Sequence, residues 1–312
     1  MYGHFSGLSA STLLHKWNFG DGTPVVSTGS TYYVDHLYTD INWYTAPPVV
    51  QHSSDNGVNW CIVTITTPFS GISVGSGCGS VRTISGLLSA GILPATQLVG
   101  KNLYVFGDLQ IDASYTFDNC NIYMNAGCKI TVKSGAQLTL KNGTLVDANS
   151  GMCNNLWNGI EVLSGGTLHT NDATIQNAYF AVQPIKDNTA LPDLHLETTT
   201  FRRNFVGIYA GAGNFALSWF RNNTFEGAGN TALYTLGTCN VPAGLPGAAY
   251  SQRTYCGLYF SASSGAQLLM PTLSLNNLFT DLQTGIIAVN GTIYIKGCRF
   301  KNIGFLTAIT AI

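Results

Sequence analysis

The stretch LHLETTTFRRNFVGI at 194–208 is a phrase that the second half of the chain keeps repeating. It reads apolar, polar, apolar, a polar turn, a small residue ahead of a large apolar one, a polar pair, and then Gly-Ile, with Ile208 seven residues after Phe201. Close copies stand at 273–286 (LSLNNLFTDLQTGI) and 293–309 (IYIKGCRFKNIGFLTAI), and looser ones at 138–160, 168–182 and 217–233. Such an internal repeat decides architecture before any single residue does.

Aligned on the central apolar residue, the units fall on Leu145, Ile175, Phe201, Phe225, Phe279 and Phe300, at intervals of 30, 26, 24, 54 and 21 residues. The interval of 54 is two periods, or one period carrying an insertion. The next apolar anchors, Val182, Ile208, Leu233, Ile286 and Ile309, follow at 7, 7, 8, 7 and 9 residues, so the turn between two short strands is nearly constant. Two residues past the central position stand Asp147, Asn177, Asp281 and Asn302, with Arg203 and Gly227 as exceptions. Asn and Asp suit a turn there because their side chains bond local backbone and tolerate the left-handed conformation. Each unit is too short and too rich in Thr, Gly and Asn for helices of about ten residues. One unit cannot bury its own apolar side, but coils stacked ~4.8 Å apart make a continuous core. The expected fold is all-β: a right-handed parallel β-helix over 101–312, with Ile175 and the four Phe residues buried and stacked.

Composition agrees with an extended β surface. Charged residues are only 9% of 312, against roughly 25% in ordinary globular domains, and Gly numbers 35. With 14 basic and 15 acidic residues the net charge is −1, so no electrostatic argument favours nucleic acid or an acidic lipid surface. No apolar run approaches the ~20 residues of a membrane-spanning helix, and 1–11 lacks the features of a signal peptide.

Residues 1–70 differ. HKWNFGDGTPV at 15–25, His36-Leu37-Tyr38 and the alternating WCIVTIT at 60–66 predict a small antiparallel sandwich with a tight turn at Asp21-Gly22. Asp21 is expected to cap its own turn rather than hold calcium. In Trp17, Phe19, Gly20, Asp21, Gly22, His36, Tyr38 and Val63 this segment resembles a PKD domain, expected to be incomplete at its N-terminus because that family carries more strand sequence ahead of the turn. Residues 71–100, rich in Gly, Ser and Pro, read as a linker and a cap, with ISGLLSAGIL at 84–93 as a short helix or apolar lid over the first coil. The final stretch, 306–312, reads as a strand of the repeat without a cap.

A second resemblance covers 84–209. ILPATQL, GDLQID, AGCKITVKSGAQLTLKNGTLV and above all LWNGIEVLSGGTL followed by TIQNAYFAV look like the β-helix region of large secreted Bacteroidetes proteins. Those proteins combine PKD modules with such a helix and end in a type IX secretion sorting domain, which is absent here. The resemblance implies the fold, export and attachment to the cell surface. It implies no activity.

Function must then be sought in constellations. A glycoside hydrolase needs carboxylates about 5 to 9.5 Å apart across a sugar, whereas Asp108, Asp112, Asp118, Asp147, Glu161, Asp172, Asp187, Asp193, Glu197, Glu226 and Asp281 are scattered along the chain. Asp147 and Asp281 are turn residues by their place in the repeat. The strongest cluster is Glu161, His195 and Glu197 with Arg202 and Arg203, and His169 is expected to stack beside His195. Trp157, Tyr179, Tyr209 and Trp219 lie near turns, where flat rings can stack on sugar faces; packing of Trp157 and Trp219 into the coils is the competing reading. Eight cysteines lack CxxC spacing, so neither a metal site nor any cofactor is expected. Cys239 and Cys256 bracket a Pro/Gly-rich insertion and are the expected disulfide; Cys120 with Cys128 and Cys61 with Cys78 are weaker pairs, and Cys298 is expected to be a free thiol. Two functions stand. One is a secreted or cell-surface structural and adhesive module whose β-helix is a rigid display surface, its partner an extracellular polysaccharide or another surface protein. The other is a carbohydrate-active enzyme, a lyase or hydrolase, using Glu161, His195, Glu197 and Arg202.

Overall fold

A computed structural model describes residues 2–6, 14–19, 24–29, 33–37, 49–53, 61–64, 71–75, 80–125, 127–148, 155–211, 215–227, 235–236, 254–261, 267–269, 275–290, 292–304 and 309–311. The chain divides into two compact units, 1–74 and 75–312.

The first unit contains antiparallel strands. Tyr2–Ser6 pairs with Tyr33–Leu37, and a four-stranded sheet runs Val26–Gly29, Leu14–Asn18, Val49–Ser53, Cys61–Thr64. Trp17 and Phe19 of the WxF motif are each 1% exposed. Asp21, Gly22 and Tyr38 lie outside the described residues.

The second unit is nearly all β, built from long parallel sheets as a β-helix or solenoid is. The repeats contribute short strands to three faces, and within each face strands pair in parallel from one repeat to the next. The first face stacks 97–99, 115–118, 137–141, 167–171, 193–197 and 216–221. The second stacks 102–105, 121–124, 144–148, 173–176, 199–202, 224–226, 277–280 and 298–301. The third runs from 81–83 through 108–111, 129–132, 157–163, 178–185, 206–210, 256–261 and 284–289 to 309–311. Parallel pairs are already present at 81–83 and 97–99, ahead of the boundary expected at 101. The helix expected near 84 is present as Ile84–Ser89, capped by Thr83 Oγ1 accepting from Gly86 N and burying Ile84 and Leu87. No helix among the described residues is long and apolar enough to cross a membrane.

Alternation explains the core. In strand Asp193–Arg202 the residues Leu194, Leu196, Thr199 and Phe201 point inward and are buried, while those between them are not. Registered pairs stack Leu103, Ile122, Val146, Ile175, Phe201, Phe225, Phe279 and Phe300 in one column. Phe201, Phe225 and Phe279 are 2% exposed or less and their rings lie nearly parallel, with centroids 4.6 Å apart at each step. Phe300 continues the stack at 5.2 Å but is only half-buried. Val146, not Leu145, holds the place in this column, because the corner at Asn142-Gly143 carries one residue more than the corner at Asp172 and shifts the register there.

The corners repeat too. Between first and second faces, Asn119, Asn142, Asp172, Thr198, Asn222 and Asn276 all have φ between 50° and 56°. Between second and third, Asn177, Arg203, Asp281 and Asn302 have φ between 50° and 58°. Asn and Asp recur there because their short polar side chains reduce the cost of the left-handed conformation. Asp147 is not among the positive-φ residues; the register shift at Asn142-Gly143 moves it onto the strand as an outward neighbour of Gln176. At Gly159 two coils approach closely: its φ is +103°, and a Cβ there would lie 1.5 Å from the Phe180 carbonyl oxygen.

Inside the corner of the first face runs a polar ladder. Asn223 Oδ1 accepts from Thr199 N (3.0 Å) and its Nδ2 donates to the Leu196 carbonyl (3.0 Å). One coil on, Asn277 Oδ1 accepts from Asn223 N (3.0 Å) and its Nδ2 donates to the Phe220 carbonyl (2.9 Å). These backbone groups turn away from the sheet ladders at the corner, so buried amides supply the partners that they would otherwise lack.

Candidate functional site

Outward residues of the first face form columns because the strands are in register. One column is Thr116, Thr139, His169, His195 and Trp219; beside it stand Asp118, Lys141, Asn171, Glu197 and Arg221. His169 and His195 are neighbours as expected, with ring centroids 5.7 Å apart and planes tilted by 54°.

The last strand of this face breaks the alternation. Leu217 pairs with Leu194, but Trp219 pairs with His195, so Ser218 is an extra residue and the strand is bulged. Ser218 and Trp219 are consequently exposed in succession, and Trp219 is 37% exposed. A bulge re-aims side chains in this way.

Around the bulge the polar groups hold one another. Nε2–H of His195 donates to Asp193 Oδ2 (2.8 Å), and Ser218 Oγ donates to Asp193 Oδ1 (2.7 Å). Arg221 Nη2 lies 2.6 Å from Glu197 Oε1, and its guanidinium carbon sits 4.5 Å from the Trp219 ring centroid. Lower on the face, Asn142 Nδ2 and Lys141 Nζ bind Asp118 at 2.7 and 3.2 Å; the Asn142 bond first, then Lys141, holds that carboxyl below its ordinary value. His169 is shifted the other way from an ion-paired histidine. Burial, then the neighbouring His195, lowers its pKa from 6.5, and Glu197 only partly opposes them.

That shift carries a sign. Its depressed pKa means that, below about pH 6.5, the unfolded chain takes up a proton on His169 that the folded chain refuses. The folded state then binds fewer protons, and stability falls as pH drops from 6.5 towards the depressed value. Replacing His169 by Gln is expected to flatten this part of the stability-against-pH curve, measured by urea unfolding between pH 5 and 8; an unchanged slope would exclude it.

The remaining expected residues are dispersed. Glu161 is on the third face, paired with Lys129 at 2.8 Å, and Arg202 is on the second, paired with Glu226 at 2.9 Å. The expected cluster of Glu161, His195, Glu197 and Arg202 is therefore corrected to His195 and Glu197 with Asp193, His169, Trp219 and Arg221. Trp157 is fully buried, with Nε1 donating to the Gln176 carbonyl (2.8 Å), and Tyr179 is buried flat against Phe205 at 5.0 Å. Neither can meet a ligand, because rings of this size near turns are used to close coils. Tyr209 is half-buried between Phe180 and Tyr259, at 4.1 and 5.0 Å, so both its faces are occupied.

Cys256 is a free thiol, fully buried between Val206 and Thr284 in the third face, and burial pushes its pKa far up. The expected bridge to Cys239 is not formed, since Cys256 serves as a small core residue; Cys239 itself lies outside the described residues. Cys120 is likewise a free thiol, and burial pushes the Cys128 and Cys298 thiols up. Cys61 and Cys78 are not described as side chains. Among the described residues no three of His, Cys, Asp and Glu group as metal ligands.

No protein-family model, curated protein or solved structure matches the chain.

Proposed function

We propose that the chain is a structural and adhesive module of a secreted or cell-surface protein, organised like the Bacteroidetes type IX secretion cargo proteins in which a PKD-like sandwich precedes a right-handed parallel β-helix. Right-handedness follows the general rule for crossovers between parallel strands. The antiparallel strands at 2–64 and the buried Trp17 and Phe19 agree with the PKD-like reading. The β-helix is a rigid surface for display and for binding extracellular polysaccharide.

The observation that carries this reading is how the carboxylates are used. Asp118, Asp147, Glu161, Glu197, Glu226 and Asp281 each bind a side chain one coil away: Lys141, Gln176, Lys129, Arg221, Arg202 and Asn302. Four of these six carboxylates are ion-paired and charged residues are only 9% of the chain, so the outer surface is sparsely charged along the stack and suited to weak contacts that sum when many copies are displayed.

The test is adhesion. Beads densely coated with the full chain should be retained on immobilised plant and algal polysaccharides, with retention falling steeply as coating density falls. Retention no better than that of bare beads at any density would overturn the reading.

A further inference from the structure

We infer that the outward strip of the first face from Thr139 to Trp219 is a binding site for one strand of a neutral, extended, β-linked polysaccharide lying along the stack, with a sugar ring packed on Trp219. The inference rests on the adhesive reading above and names the site that would serve it.

The first support is the indole. Two other outward aromatic pairs, Tyr104 with Tyr123 and Tyr209 with Tyr259, stack on one another, both at 5.0 Å and nearly parallel. Each ring so stacked covers one face of its neighbour. Trp219 is different because the bulge turns it out of the ladder. Arg221 covers one side of the indole, and 37% of the residue remains open to solvent. Arg221 is itself pinned by Glu197 at 2.6 Å, so the indole is held in place before any ligand arrives. A side chain ordered in advance loses little entropy on binding.

A second support is spacing. Thr139, His169, His195 and Trp219 stand one per coil, ~4.8 Å apart along the axis. An extended glycan laid along the axis passes a new side chain every ~4.8 Å. Hydroxyls both donate and accept, and a neutral imidazole does likewise. His195 is oriented by its Nε2 bond to Asp193, and the lowered pKa of His169 keeps that ring neutral at pH 7.

Charge selects the class of glycan. Two of the acids on this strip are ion-paired, Asp118 with Lys141 and Glu197 with Arg221, and Asp193 is held by hydrogen bonds from His195 and Ser218. A uronate or sulfated polymer would have to compete with these carboxylates for their partners, whereas a neutral polymer leaves them intact.

The test uses the full chain and neutral hexasaccharides, cellohexaose, xylohexaose and mannohexaose, followed by intrinsic tryptophan fluorescence and calorimetry. At least one should bind saturably with little dependence on salt. Trp219→Ala should weaken it tenfold or more, Trp219→Phe should restore most of it, and the thermal unfolding midpoint should stay unchanged because the ring is not core. Full affinity in Trp219→Ala would overturn the inference, as would binding of hexagalacturonate in preference to the neutral sugars or failure of all three to bind. Beads carrying Trp219→Ala separate the two readings. If they adhere as well as the parent, this site is wrong and the adhesive function stands; if the parent beads do not adhere, the adhesive reading itself has failed.

Discussion

Replacing Phe279 by Ala is expected to destabilise the chain by about 3–5 kcal/mol, the range for removing a large aromatic from a core that cannot collapse around the gap. Its ring is fully buried and is the middle of three in sequence, 4.6 Å from Phe225 below and 5.2 Å from Phe300 above. The surrounding strands are fixed in register by backbone bonds on both sides, which prevents them from closing on the cavity. In a stacked architecture each coil is stabilised chiefly by its neighbours, so the loss is directional as well as large. Coils beyond 279 keep their own apolar residues but lose the layer on which they rest. Amide hydrogen exchange should therefore rise most over 277–304 and least over 102–176. Phe279→Leu, which refills most of the volume, should cost well under half as much. Uniform loss of protection along the stack, or a cost below about 1 kcal/mol in equilibrium unfolding, would contradict the coupling between layers.

Asn223→Leu is the second large effect, expected at about 3 kcal/mol or more. Its amide serves two backbone groups at once, the Thr199 N–H and the Leu196 carbonyl, and Asn223 is fully buried. A leucine of similar volume fits the space but leaves both groups unpaired, at roughly 1–3 kcal/mol each. The outer Asn ladder supplies the control. Asn121 Nδ2 donates to Asn102 Oδ1 at 2.9 Å, but both residues are half-buried and water can take over. Asn102→Ala should cost no more than about 1 kcal/mol. Equal costs for the two substitutions, measured by denaturant unfolding, would show that the buried ladder is not what holds the corner.

Much of this was readable from the residues in order. The repeat around Phe201 and Phe279 determined a stack of short parallel strands, because a period near 25 residues with alternating apolar positions has few ways to bury its apolar side. It also determined the inward column, the left-handed corners at Asn177, Asp281 and Asn302, and the proximity of His169 to His195, since residues at equal offsets in successive coils must lie one above another. Other features depended on where the chain departs from its own period. The extra residue at Asn142-Gly143 put Val146 rather than Leu145 in the core, and the extra residue at Ser218 set Trp219 opposite His195. A one-residue slip turns a strand over, and nothing local in LSWFRN reveals which residue will be the slip. For the same reason nothing in the order of residues marks Asp193, Ser218 and Arg221 as one group, though alternation already sets Asp193, His195 and Glu197 on one side. Glu161 and Arg202 read as members of one cluster because they are near in coil number, yet they lie on different faces. Sequence order fixes the layer in which a side chain sits; which of the three faces it looks out from, and whether a ring is buried like Trp157 or open like Trp219, is decided only by the turns and bulges of the folded stack.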